Sequence, residues 1–279
     1  MKVLPFNVPC FNLRVSAALL RATALELAIL AAHLLLYPSG LTPERPVRRK
    51  GRLAADPGPD AARVLGTATA VPVVLLHGFI DNRSVFVLLR RSLVGPGRRH
   101  VECLNYSPLT RDVRTAAELL GRHIEEICIR TGHHEVDIVG HSLGGLIARY
   151  YVQRLGGDQR VRTLVTLGTP HSGTTVAPLA GAHPVVRQMR PDSPVIEELR
   201  SPAPGCRTRF VCFWSDLDQI MAPIETACID HPDLIVENVR VSGIGHLALP
   251  VHPAVAARIR QTLDAEESAT GDSGAVSVA

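Results

Sequence analysis

From Val136 to Ala148 the chain reads VDIVGHSLGGLIA. A short apolar, β-branched run meets Gly140-His141-Ser142-Leu143-Gly144, and an apolar helical pattern follows at once. Few folds accommodate this. A strand must end in a sharp turn carrying Ser142, and a helix must start there. Gly140 and Gly144 flank the serine because side chains there would collide with the strand and helix that the turn brings together. Leu143 places its N–H at the start of the helix, where donors are unpaired and the dipole favours an anion. Strand, turned-out serine and helix point to a serine acyl-transfer site.

The rest of the chain repeats the strand–helix alternation. Apolar runs predict strands at Val73–Leu76, Val101–Leu104, Val136–Val139, Val161–Leu167, Arg209–Phe213 and Glu237–Val241. Helical patterns cover Ser84–Leu93, Arg111–Thr131, the segment after Leu143, and Pro253–Leu263. Such alternation implies an α/β domain with a mostly parallel central sheet, covered by helices on both faces. A chain of 279 residues with 46% hydrophobic content holds one large domain of this kind over 71–263. The net charge is +4, with Lys2 and Lys50 the only lysines. No basic face interleaved with aromatics appears, so nucleic acid is not an expected partner.

Residues 1–37 differ from the rest. Between Ala22 and Tyr37 only Thr23, Glu26 and His33 are polar. A spanning helix needs about 20 apolar residues. Reaching that length over 15–37 takes in Arg21, whose charge would cost about 2–3 kcal/mol near mid-membrane. A leader, an anchor and a helix packed on the domain all fit, so membrane association through 15–37 and secretion both stay open. Residues 38–70, rich in Pro, Gly and Arg, read as a linker. Residues 264–279 are small and polar and read as a disordered tail. The six cysteines form no C-x-x-C pair, which argues against a zinc ribbon. Cys206 and Cys228 could staple the region between them, or be small buried residues.

A nucleophilic serine needs a base, and the base an orienting acid. Among twelve histidines, His246 follows the last strand in a Gly-rich loop. Parallel-sheet sites lie beyond the carboxyl ends of strands, and the order serine, acid, histidine is preserved. The acid belongs after Arg209–Phe213, where Asp216 and Asp218 both stand. Asp218 is preferred because an apolar stretch and Pro223 follow it; Asp216 then acts as a turn former. Asp230 and Asp233 are weaker alternatives. Two N–H groups must meet the developing oxyanion: Leu143, after the serine, and Phe79, after the tight turn allowed by Gly78. No metal-ligand spacing or cofactor motif appears.

Five stretches occur in order: HGF at His77–Phe79, GHSLGGLIARYY at Gly140–Tyr151, VTLGTPHSGT at Val165–Thr174, SDLDQIMAP at Ser215–Pro223 and GIGHLAL at Gly243–Leu249. In this conjunction the chain from about Val71 to Leu263 resembles the α/β-hydrolase fold, and within it bacterial lipases and esterases of the Streptomyces type. The resemblance implies Ser142 as nucleophile, Asp218 as acid and His246 as base, with Phe79 and Leu143 forming the oxyanion hole. It implies a monomeric ester hydrolase without metal or cofactor, acting on a lipid substrate such as acylglycerol or another medium-to-long acyl ester. A single Gly before the oxyanion residue is the family arrangement for those chain lengths. An acyltransferase or thioesterase would use the same residues. An intact serine, acid and histidine argues against a non-catalytic binding protein. Residues 172–200 form an insertion that would sit over the site, either as an apolar lid or as a partly buried connection.

Overall fold

A computed structural model describes residues 17–41, 70–79, 81–94, 99–106, 112–176 and 183–273. Six strands form one sheet in the order β2-β1-β3-β4-β5-β6, every neighbouring pair parallel. They are β1 (Val73–Leu76), β2 (Val101–Leu104), β3 (Val136–His141), β4 (Val161–Leu167), β5 (Arg209–Ser215) and β6 (Ile235–Val241). Both faces of such a sheet are covered, so the central strands are continuous apolar runs. β1 and β3 are buried along their full length.

Alternate residues feed two cores, as the pleat requires. Val74, Leu76, Val136 and Ile138 join the first, with helices α3 (Val113–Thr131) and α4 (Leu143–Arg154). Val73, Leu75 and Val139 join the second, with α2 (Val87–Val94) and α7 (Pro253–Ser273). Helix α3 buries Val113, Ala117, Leu120, Ile124 and Ile127, one apolar stripe. Asp112 caps its start by accepting from the Arg114 N–H at 2.7 Å. Gly132 ends it in the left-handed conformation, φ 76°.

The chain leaves β1 toward β2 on one side and returns to β3 on the other. The crevice beyond the carboxyl ends of β1 and β3 is therefore the topological switch point, where ligands of open α/β sheets bind.

Three segments refine the sequence expectations. First, the apolar N-terminal segment is a helix, α1 (Ala17–Leu41), which continues through Pro38. Domain side chains satisfy its last carbonyls: Asn82 Nδ2 donates to Tyr37 O at 2.9 Å and Asn105 Nδ2 to Gly40 O at 2.7 Å. The remainder of the expected linker, 42–69, lies outside the described residues. Second, α7 runs on to Ser273 rather than ending at Leu263; Ala265, Glu266 and Glu267 are good helix formers. Residues 274–279 of the expected tail lie outside the described residues. Third, the segment 183–200 forms two short helices, α5 (Pro184–Gln188) and α6 (Pro194–Arg200). Its prolines open helices rather than break them, since each stands at a first helical turn where no N–H is required. Both helices are anchored by Val185, Val186, Val195, Ile196 and Leu199, all buried. Cys206 and Cys228 form no disulfide with each other, and Cys103, Cys128 and Cys212 are buried.

Candidate active site

Ser142 links β3 directly to α4 with φ 52° and ψ −120°. Among the described residues it is the one non-glycine with positive φ. Such a conformation costs about 1–3 kcal/mol and persists only where the surroundings over-determine it. Here they do. The Ser142 N–H donates to Leu167 O at 2.9 Å, and the Ser142 carbonyl accepts from Gly145 N–H at 3.1 Å and Thr169 Oγ1 at 3.0 Å.

The flanking glycines are required by space. A Cβ on Gly140 would stand 2.5 Å from Gly145 Cα, and one on Gly144 would stand 2.5 Å from the His77 carbonyl. Gly144→Ala would thus drive α4 away from the end of β1. The expected cost is about 3 kcal/mol, a fall in Tm of about 6–12 °C by calorimetry.

Asp218 and His246 come from loops after β5 and β6 and are both buried. His246 Nδ1 lies 2.7 Å from Asp218 Oδ2. The other carboxylate oxygen accepts from the Ile220 and Met221 N–H groups at 2.9 and 3.0 Å. Burial pushes the Asp218 carboxyl upward. The His246 charge, its hydrogen bond and the two backbone donors outweigh this and hold it below its ordinary value. Burial pushes His246 downward, but Asp218, with smaller contributions from Glu26 and Asp81, raises it above the usual imidazole value. Gly168, with φ 54°, leaves room for the pair: a Cβ there would stand 2.9 Å from His246 Nδ1.

The alternative acids lie elsewhere. Asp216 pairs with Arg240 at 2.9 Å and accepts from the Gly243 N–H. Asp233 accepts from the Ala203 N–H at 2.8 Å. Asp230 is exposed.

Leu143 is the first residue of α4, where helical geometry leaves N–H groups without an intrahelical carbonyl. Phe79 approaches from the loop after β1. Gly78 makes this possible, since a Cβ there would stand 3.3 Å from Ser142 Cβ. Tyr106 fixes that loop. Its ring stacks on His77 at 4.2 Å and its hydroxyl donates to Gly78 O at 3.0 Å. Ser142, Phe79 and His246 face one cavity of about 430 Å³, whose apolar lining includes Leu30, Leu34, Val186, Met189 and Leu247.

Four polar residues at this site escape the sequence reading. His141, inside the turn motif itself, lies 3.6 Å from Asp81 and donates from Nε2 to the His246 carbonyl at 3.3 Å. Its ring lies 4.8 Å from that of His246. His33 is buried and lines the cavity from α1. Glu26, two helical turns earlier, accepts from the Leu247 and Ala248 N–H groups at 2.8 and 2.9 Å. The available signal was spacing. Glu26 and His33 are seven residues apart and share one face of an apolar helix. His171, by contrast, is a brace: buried, and 2.9 Å from Thr166 Oγ1.

The arrangement is similar to that of known proteins. Over 133 residues the chain is 31% identical to a triacylglycerol lipase of Burkholderia plantarii, 45% of this chain and 36% of that protein. A triacylglycerol lipase of Pseudarthrobacter phenanthrenivorans is 30% identical over 118 residues, 39% of this chain and 36% of that protein. The chain thus spans about a third of the length of these curated relatives. Aspergillus fumigatus lipase B superposes with a TM-score of 0.63 at 18% identity, over 80% of this chain and 61% of that one. Likenesses of this kind show the fold, an α/β-hydrolase. The family model for palmitoyl protein thioesterases matches residues 72–219, which is more than half of the chain and runs from β1 through the acid loop, so the protein belongs to the palmitoyl protein thioesterase family.

Proposed function

We propose that this protein is a serine carboxylic-ester hydrolase acting on medium-to-long acyl esters, acylglycerols among them. Ser142 Oγ attacks the ester carbonyl while His246 Nε2 takes its proton. The oxyanion is met by the Leu143 and Phe79 N–H groups, each worth about 3 kcal/mol to the transition state. Collapse breaks the ester C–O bond, and His246 returns the proton to the departing alcohol. Water then attacks the acyl-enzyme with His246 again as base, releasing the acid and restoring Ser142. Asp218 holds the imidazole with its proton on Nδ1.

The observation that most supports this reading is the 2.7 Å His246–Asp218 contact, buried beside a strained serine on one cavity. The apolar lining favours an acyl chain over a charged acid. A fluorophosphonate probe is expected to label the protein once, at Ser142, as mapped by mass spectrometry. Labelling elsewhere, or none, would sink the assignment. Across a series of p-nitrophenyl esters, kcat/KM is expected to rise with acyl length from C2 to at least C8, since each buried methylene contributes about 0.8 kcal/mol.

A second reading, thioester hydrolysis, is favoured by the family match over 72–219. The same residues would serve, with a thiol leaving in place of an alcohol. Turnover of matched acyl esters and acyl thioesters separates the two.

A further inference from the structure

We propose that Glu26, on helix α1, is a positioning residue for the base: its carboxylate holds the loop that carries His246. The inference rests on the reading of Ser142 and His246 given above, and adds to it a helix outside the matched family region.

Both oxygens of Glu26 are engaged, one with the Leu247 N–H at 2.8 Å and one with the Ala248 N–H at 2.9 Å. These are the two residues directly after His246. On the other side of His246, Gly245 is shaped to the carboxylate: a Cβ there would stand 2.5 Å from Glu26 Cδ. The loop is thus built around this side chain from both directions. Glu26 is also an acidic residue in a helix otherwise made of Leu, Ala and Ile over this stretch. A charged group in such a setting is stabilised only where donors meet it, and here they are supplied by the active-site loop.

The contact is held firmly. Asn82 and Asn105 clamp the far end of α1, at Tyr37 and Gly40. Between clamp and carboxylate, Leu30 and His33 line the cavity. The His246 carbonyl is fixed separately by His141 at 3.3 Å. The tie from Glu26 is thus separate from the one that comes from the turn around Ser142.

The groups facing His246 are Asp218 after β5, Glu26 on α1, Asp81 after β1 and His141 at the end of β3; His33 and His77 lie near Asp81. The negative charge of Glu26 adds to that of Asp218 in favouring the imidazolium. Removing it should therefore move the acid limb of kcat/KM to lower pH, which a purely structural contact would not do.

The test measures kcat, KM and the pH profile of p-nitrophenyl ester hydrolysis for the full chain and three variants. Glu26→Ala is expected to lose about 10–100-fold in kcat, the scale of a small misplacement of a reacting group. KM should stay within about threefold and the acid limb should move down. Glu26→Gln, which offers one acceptor and no charge, should fall between in kcat with the same downward limb. Glu26→Asp should keep the limb in place. Should Glu26→Ala fail to fold by circular dichroism, Glu26→Gln carries the test. Wild-type kcat and limb in Glu26→Gln overturn the proposal. So does a loss of kcat that follows the loss of Tm while the limb stays still. Ser142→Ala, run in parallel, separates the two levels. If it retains turnover, the reading of Ser142 fails and the role of Glu26 falls with it; if it is inactive while the Glu26 variants match wild type, only the role of Glu26 is lost.

Discussion

Ser142→Ala is expected to lower kcat/KM for p-nitrophenyl acyl esters by about 10⁵–10⁶-fold, with the residual rate supplied by the oxyanion donors and the cavity. Stability should barely move. Alanine keeps the positive φ of Ser142, so the backbone strain stays, and the side chain lost is a single hydroxyl at a half-buried position. A shift in Tm of more than about 3 °C would mean that the fold, not the chemistry, was damaged. Retained turnover in a folded variant would remove Ser142 from the reaction. Ser142→Gly makes the complementary point. It should be equally inactive, yet gain about 1 kcal/mol, because glycine occupies this conformation without penalty.

Asp218→Asn is expected to reduce kcat by about 10⁴-fold. The amide would keep an oxygen for the Ile220 and Met221 N–H groups, so the loop should hold its shape. Toward His246 it would present NH₂, which donates to Nδ1 and forces the ring proton onto Nε2. That tautomer cannot accept the proton of Ser142. The pH dependence is also determined. Asp218 has a folded pKa below its unfolded value. Its contribution to stability is therefore fully present above the unfolded value, about 4, and is lost as pH falls through the lower folded value. The Tm difference between wild type and Asp218→Asn should shrink below about pH 4, and should also narrow as pH rises through the raised value of His246, where the attraction between Asp218 and the imidazolium is lost. For activity the sign is opposite. His246 is raised above the ordinary imidazole value, so the acid limb of kcat/KM should lie above about pH 6.5.

What was legible in the sequence followed from local rules. Buried strands are apolar runs, so β1, β3, β4 and β5 stood out; Gly140 is required by atoms a few residues away, whereas Gly144 is required by the end of β1. Chain order then singled out His246 and Asp218 as candidates; the structure places His246 on the cavity that Ser142 faces, with Asp218 in contact behind it. What was hidden depended on partners distant in sequence. The spacing of Glu26 and His33 marks one face of α1, but nothing near them says which domain surface that face meets. The end of α7 was misplaced for a different reason: a small, polar composition was read as disorder, although its Ala and Glu residues favour a helix.

The contact between Glu26 and Leu247 spans 221 positions of the chain. Contacts so remote form late, because the loop they close is nearly the whole domain. In synthesis from the N-terminus, α1 emerges long before its docking loop. For most of that interval the helix has no site to cover, and Leu20, Leu27 and Leu35, exposed even in the finished protein, are joined by the inner face of the same helix. The docked helix is thus a marker of completion: its contact at Glu26 can be made only once the chain beyond β6 is in place.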